Sequence, residues 1–229
     1  MKKKVDKVCS GVQPNEGVTE LVFILDKSGS MAGMEKDTIG GFNAMIDKQK
    51  AMGGKVFVST VLFSTLSQVL HDRERLEDVS PLTENDYQVG GCTALVDAIG
   101  GAIKHIGNIH KYARKDDVPT RTLFVITTDG LENASKKYQS AQIKAMIKEK
   151  EENCGWEFLF LAANIDAVST AESIGIRKER AVNYKVEDET VEMFEEVGDT
   201  ICEYRACCMP SECGSRIEEN IRLRREKAE

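Results

Sequence analysis

The sequence contains no apolar run that approaches the ~20 residues required for a membrane-spanning helix. Its opening residues, MKKK, lead into the polar stretch VDKVCSGVQPNEG instead of an apolar segment, so we expect no secretory signal peptide. Basic residues are in the minority, 31 against 38 acidic ones, and the formal net charge is −7. Because an acidic chain repels phosphate groups, we expect no nucleic acid as a partner. Because no apolar run is long enough, we expect no membrane partner either.

The seven cysteines lack the spacing of a structural zinc site. Four of them lie in CEYRACCMPSEC, whose C-x4-C-C-x4-C pattern has no C-x2-C knuckle. The histidines give no metal-binding helix pattern either, since His105 and His110 are five positions apart. Without an export signal, we expect reduced thiols and a cytoplasmic location. The cysteines are Cys9, Cys92, Cys154, Cys202, Cys207, Cys208 and Cys213.

Apolar runs alternate with helical patterns along most of the chain, in a composition typical of globular proteins. Four runs are rich in Val, Leu, Ile and Phe, as in parallel strands buried on both faces. They are TELVFILD (19–26), KVFVSTVLFS (55–64), RTLFVITTD (121–129) and WEFLFLAAN (156–164). The segment 67–75 follows the second run after a short link, which predicts an antiparallel edge strand. A sixth strand is predicted at 179–186.

Helices are predicted in the intervals between these strands. Their approximate ranges are 34–52, 93–112, 138–152, 166–174 and 188–202. Alternation of this kind predicts a doubly wound α/β fold, with a mostly parallel sheet, one antiparallel edge strand and helices on both faces. The domain prediction is a flexible arm at 1–17, one α/β domain at 18–204, and a charged, cysteine-containing tail at 205–229.

Oxygen-bearing side chains occupy several predicted strand ends. Asp26, Ser28 and Ser30 follow the first strand, Asp129 ends the strand at 121–129, and Thr93 precedes a long helix. In an open α/β sheet, ligands bind beyond the carboxyl ends of the strands, so we expect these residues to meet at one edge. Carboxylates and hydroxyls suit a hard cation such as Mg2+, which prefers near-octahedral oxygen coordination and retains water. Such a site leaves positive charge that attracts an outside carboxylate.

Each residue also has a purely structural explanation. Ser30 or Thr93 could be the N-cap of the helix that follows it, because a hydroxyl at that position accepts a hydrogen bond from a backbone N–H of the first turn. Asp26 could close an Asx-turn, and Asp129 with Gly130 could form a simple turn. The shared position of all these groups at one sheet edge favours the metal site over the separate explanations.

The motifs DKSGS (26–30), Thr93 in GGCTALVDAI and TTDG (127–130) resemble the metal-ion-dependent adhesion site of von Willebrand factor A domains. The resemblance extends over about Thr19 to Val186, and the chain is most similar to short, stand-alone bacterial members. It implies Mg2+ or Mn2+ bound by five residues and completed by an Asp or Glu of a partner protein. The implied ligands are Asp26, Ser28, Ser30, Thr93 and Asp129.

Residues beside this motif are candidates for the rim of the site. Asp97 lies one turn after Thr93, where it could orient the Thr93 loop or simply favour the helix start. Four more polar residues follow strand ends, and we expect them to be solvated loop residues. They are Glu132, Asn133, Asn164 and Asp166.

An enzyme is the main alternative to a binding module. A strand that ends in Asp also resembles Mg2+-dependent phosphatases of the haloacid-dehalogenase type, which usually carry a second Asp two residues later for proton transfer. Ser28 occupies that position, and its hydroxyl does not ionise near neutral pH, so it is not poised to transfer a proton. The phosphate loop G-x-x-x-x-G-K-[ST] is also absent. We therefore expect a metal-dependent binding module and no enzyme, with a metal-free scaffold as a second alternative.

Overall fold

Six strands form one sheet in the computed structural model, which describes residues 17–163, 165–184, 186–207, 214–215, 217–219 and 221–222. The strands are β1 (Thr19–Asp26), β2 (Val56–Phe63), β3 (Ser67–Arg75), β4 (Arg121–Thr128), β5 (Glu157–Ala163) and β6 (Ala181–Tyr184). The helices are α1 (Glu35–Met52), α2 (Leu95–Tyr112), α3 (Ser140–Cys154), α4 (Ala167–Ile174) and α5 (Val186–Ala206).

The sheet has the strand order β3-β2-β1-β4-β5-β6. All neighbouring strands are parallel except β3, which pairs antiparallel with β2 at the edge. This confirms the predicted fold class, including the antiparallel edge strand. The strand order reverses between β1 and β4, and this is the place where an open α/β sheet leaves a crevice for ligands.

Two apolar layers cover the sheet, because successive side chains of a strand point to opposite faces. Leu21 and Phe23 of β1 belong to the layer that contains α1 and α5 residues. Val22 and Ile24 belong to the layer beneath α2, α3 and α4. The nearly continuous apolar runs in the sequence are therefore explained by burial on both faces.

The two ends of the chain relate differently to the predicted domain limits. Of the predicted arm, all residues before Gly17 lie outside the described part of the chain. The boundary after residue 204 stays a prediction, although Arg205 and Cys207, just beyond it, are buried. The Nη1 atom of Arg205 donates to the main-chain oxygen of Gln49 on α1 at 3.0 Å, so the end of α5 is bound to α1. Among the described helices, none is both long and apolar enough to cross a membrane.

Two adjacent glycines of α1 offer a test of the packing between α1 and α5. A Cβ atom added at Gly41 would lie 2.3 Å from Cδ2 of Phe194, whereas one at Gly40 would meet no atom within 4 Å. We expect Gly41→Ala to lower the free energy of unfolding by about 1–3 kcal/mol, as overpacking does. Gly40→Ala should raise it by up to about 1 kcal/mol through helix propensity.

Urea unfolding followed by circular dichroism measures both changes. Equal stabilisation by the two substitutions would contradict the close approach of α1 to α5.

Candidate metal site

Three loops meet at the carboxyl edge of the central strands. Asp26 is the last residue of β1, and Asp129 directly follows β4, the parallel neighbour of β1. The loop that contains Thr93 leads into α2 and is attached to the end of β2, since the Ala94 N–H donates to the oxygen of Ser64 at 2.9 Å. The fold therefore brings distant parts of the sequence to one edge.

Asp26 is fixed from three sides. Its Oδ1 accepts a hydrogen bond from the N–H of Ser28 at 2.7 Å, and its Oδ2 accepts one from Oγ1 of Thr128 at 2.6 Å. Its main-chain oxygen accepts a hydrogen bond from the hydroxyl of Tyr87. The Asp26 side chain is fully buried, so these contacts hold its carboxylate in one orientation.

The two serines connect Asp26 to Asp129. Oγ of Ser28 lies 3.1 Å from Oγ of Ser30, which donates to Oδ1 of Asp129 at 2.6 Å. Ser28 and Asp129 are buried, whereas Ser30 is exposed. Four of the five predicted residues therefore form one continuous group that is open to solvent at Ser30.

Thr93 reaches the same space from the other side of Gly130. A Cβ atom added at Gly130 would lie 2.8 Å from Oγ1 of Thr93 and 3.0 Å from Oγ of Ser30. Both hydroxyls consequently face the small space that glycine leaves beside its Cα. All five predicted residues are brought together, and a side chain at position 130 would intrude on them.

The structure also bears on the capping explanations for Ser30 and Thr93. The N-cap positions of α1 and α2 are Met34 and Ala94, and neither makes a side-chain capping bond. Ser30 and Thr93 are therefore not helix caps. The Asx-type contact of Asp26 is present, since its carboxylate accepts the N–H two residues later. That contact uses one carboxylate oxygen and orients the group, so it accompanies a ligand role instead of replacing it.

Close backbone approaches hold the first two loops together. The N–H of Gly29 donates to the oxygen of Gly91 at 3.0 Å, and the N–H of Gly90 donates to the oxygen of Lys27 at 2.9 Å. Gly91 has a φ of +84°, a conformation that other residues rarely adopt. The ammonium group of Lys27 donates to Oε1 of Gln68 at 2.8 Å on β3 and is thus engaged away from the carboxylates.

Asn133 holds the Thr93 loop through a reciprocal pair of hydrogen bonds. The N–H of Thr93 donates to Oδ1 of Asn133 at 2.9 Å, and the N–H of Asn133 donates to the oxygen of Thr93 at 3.0 Å. Asn133 is an exposed loop residue, as expected, but its side chain also fixes Thr93. The pattern of the sequence carries no signal for this contact, because the two residues lie in different loops.

Two carboxylates join the loop after β4 to the start of α2. Glu132 accepts a hydrogen bond from the N–H of Val96 at 2.8 Å. Asp97 accepts hydrogen bonds from the N–H groups of residues 136–138. Burial acts to raise the pKa of Asp97, but these N–H donors lower it below its usual value overall. Asp97 is therefore a connection between loops, which agrees with the orienting role considered for it.

The last two rim candidates lie elsewhere or outside the described residues. Asp166 is the N-cap of α4, where its Oδ1 accepts from the N–H of Ser169 at 3.1 Å. Asn164 is not among the described residues. Neither residue belongs to the group formed around Asp26 and Asp129.

The electrostatics of the site favour a bound cation. Burial raises the pKa of Asp26 and of Asp129, and the charge of Asp26 raises that of Asp129 further. In the described part of the chain, no ion pair includes either carboxylate. Buried carboxylates without a counter-charge are costly. A divalent cation among these oxygen atoms would provide that charge, so the donor set fits Mg2+ or Mn2+.

Only two of the five candidate ligands are carboxylates. The described residues contain no group of three or more His, Cys, Asp or Glu side chains placed to hold a metal. The remaining donors are the hydroxyls of two serines and a threonine, which are uncharged. A divalent ion held in this way would keep part of its charge.

No model of a known protein family matches this sequence, and no curated protein sequence does. Solved structures do match its fold. The vWF domain of the type V pili tip protein Mfa5 from Porphyromonas gingivalis aligns with a TM-score of 0.59 at 12% identity, covering 82% of this chain and 96% of that one. A von Willebrand factor type A protein from Catenulispora acidiphila aligns at 0.53 and 15% identity, covering 81% and 42%.

Proximal thread matrix protein 1 from the mussel byssus provides a third match. In that structure the metal-ion-dependent adhesion site (MIDAS) motif is occupied by zinc. The mussel protein aligns with a TM-score of 0.54 at 15% identity, covering 82% of this chain and 46% of that one. The chain thus spans about half the length of the mussel protein. On the strand order, the parallel pairing and these alignments, the chain has the fold of a von Willebrand factor A domain.

Proposed function

We propose that this protein is a divalent-metal-dependent protein-interaction module. Its ligands would be Asp26, Ser28, Ser30, Thr93 and Asp129, and its ion would be Mg2+ or Mn2+. The observation that carries the proposal is the convergence of two buried carboxylates and three hydroxyls at the strand-order reversal. The mussel structure with zinc in its MIDAS motif supports a divalent ion at this place in the fold.

The open side of the group indicates how a partner would bind. Ser30 is exposed while the carboxylates lie below the surface, so a bound ion would face solvent on one side. An ion held by neutral hydroxyls keeps Lewis acidity that a further anionic oxygen can use. We therefore propose that an Asp or Glu of a partner protein completes the coordination.

The residue pair Asp26 and Ser28 argues against a phosphatase. Phosphatases of the haloacid-dehalogenase type usually pair their nucleophilic Asp with a second Asp two residues later, which transfers a proton. In this chain the side chain two residues after Asp26 is the hydroxyl of Ser28, which contacts Ser30, so that position lacks such an acid or base. We propose a non-catalytic role.

A reducing location agrees with the state of the cysteines. The two exposed cysteines in the described part of the chain, Cys92 and Cys154, form no disulfide bond. Thiols of this kind persist in the cytoplasm, which is the location that we propose.

The binding of metal is directly measurable by titration calorimetry. We expect Mg2+ and Mn2+ to bind the native protein, and Asp129→Asn to abolish the heat because it removes one of two anionic ligands at nearly constant volume. Asp166→Ala is the matched control: it removes an aspartate that caps α4, costs about 1 kcal/mol of stability, and should leave binding intact.

At an ion concentration about 100 times the Kd, the native protein should also gain about 2.7 kcal/mol of unfolding free energy. Absence of both heat and stabilisation with either ion would favour the metal-free scaffold.

The partner interaction should depend on the ion. In an affinity capture from cell extract, we expect at least one protein to be retained with Mg2+ and lost with EDTA. The same protein should be lost with Asp129→Asn and retained with Asp166→Ala. Identical captures by all samples would contradict metal-dependent docking even if the ion binds.

Asn133 should influence metal affinity only through Thr93. We expect Asn133→Ala to weaken Mn2+ binding roughly fivefold, because a hydrogen bond of this kind contributes about 1 kcal/mol. A double-mutant cycle separates positioning from general loosening of the loops. In the Thr93→Ala background, the loss caused by Asn133→Ala should disappear, whereas an undiminished loss there would refute the positioning role.

A further inference from the structure

A cavity of about 540 Å³ lies between α2 and α3, away from the candidate metal site. It is placed near the C-terminal ends of both helices and beside Trp156, which directly precedes β5. The Thr93 loop is at the other end of α2. The cavity therefore opens at the opposite edge of the sheet, and its volume falls within the roughly 300–1,000 Å³ of small-molecule sites.

The floor of the cavity is apolar and rigid. Ile103, Met146 and Trp156 line it. The indole of Trp156 stacks on Phe124 with the ring centroids 5.2 Å apart and the planes at 24°. On the indole also lies the Nζ atom of Lys150, 5.3 Å from the ring centroid. The indole is only 3% exposed, because Phe124 stacks on it and the Lys150 side chain lies over it. A ligand would reach the ring by displacing the Lys150 side chain, and the stacked rings beneath would then provide an aromatic contact surface.

Gly107 keeps the space open. A Cβ atom added there would lie 3.5 Å from Cε of Lys150 and 3.9 Å from Cη2 of Trp156, which is ordinary contact distance. One Cβ fits without strain, but a larger side chain at this position would extend into the cavity. The absence of a side chain at Gly107 therefore leaves room for a ligand to enter the cavity.

The mouth of the cavity is basic in a chain whose net charge is −7. Four cationic or ionisable nitrogen groups line it, from Lys104, His110, Lys111 and Lys150, against one carboxylate, that of Glu149. Glu149 is already paired with Lys150 at 3.0 Å.

His110 contacts a buried carboxylate, that of Glu20. Its Nε2 lies 3.0 Å from Oε2 of the buried Glu20, which also accepts from Nε of Arg73 at 3.1 Å. Among the ion pairs of the described residues, none includes Lys104 or Lys111. Lys111 has its Nζ atom 5.4 Å from the centroid of the Tyr112 ring. Both lysines therefore carry positive charge at the mouth without a carboxylate of the described residues at ion-pair distance.

We propose that this cavity binds a small molecule that has an apolar, ring-sized body and one anionic group. The body would lie against Met146 and, once the Lys150 side chain is displaced, against Trp156. The anion would face Lys104 and Lys111. Apolar burial would supply most of the affinity, while the lysines would select for negative charge. This site is independent of the metal and of the protein partner proposed above.

A pair of fluorescent probes tests the two parts of the proposal. The probes are 8-anilinonaphthalene-1-sulfonate and N-phenyl-1-naphthylamine, which share the aromatic body and differ by the sulfonate. We expect the native protein to bind the sulfonate more tightly. Replacement of Lys104 and Lys111 by Gln should weaken its binding by about threefold for each lysine, as expected for exposed charges. The neutral probe should be unaffected by these replacements.

Gly107→Leu should abolish the binding of both probes by filling the cavity. Gly40→Leu is the control, because it adds the same side chain to an open position on α1. Circular dichroism and urea unfolding establish that both variants fold. Unchanged sulfonate binding in Gly107→Leu, or equal affinity of the native protein for the two probes, would overturn the proposal.

Discussion

Parallel pairing of β1 with β4 brings together residues that the sequence keeps far apart. Leu25 pairs with Thr127, so the side chains that follow each strand emerge side by side at one edge. Ser30 and Asp129, 99 positions apart, are consequently in hydrogen-bond contact. Without this pairing the carboxylates of Asp26 and Asp129 would lie apart. The serine hydroxyls would then not connect them, and Thr93 and Ser30 would not share the space beside Gly130.

The same pairing places two buried carboxylates close together without an ion pair among the described residues to balance them. Asp26 and Asp129 lie below the surface near one another, and the hydrogen bonds from Ser28, Thr128 and Ser30 only partly replace lost hydration. Each contact fixes a carboxylate as well as stabilising it, so the geometry exists before any ion arrives. Preorganisation of this kind lowers the free-energy cost of binding, since few side chains need to be ordered.

α2 connects the two regions for which we propose binding. The helix contains 18 residues, which corresponds to about 27 Å. It begins beside the Thr93 loop, and its far end lines the cavity above Trp156. The proposed cation would attract acidic groups to one edge, and the lysines would attract anions to the other. Although the whole chain is acidic, both proposed sites therefore select negatively charged ligands.

The sequence by itself determined the strands and the fold class, and it predicted the five oxygen-bearing side chains that meet at one sheet edge. Burial on both faces demands apolar runs, and a hard cation demands Asp, Ser and Thr at strand ends, so both features are visible in local patterns. Only the tertiary structure decided that Asn133 holds Thr93, that Gly130 leaves the space the hydroxyls share, and that Gly107 opens a cavity over Trp156. These relations join residues from different loops and helices. Their physical basis is distance in space, which no periodicity along the chain encodes.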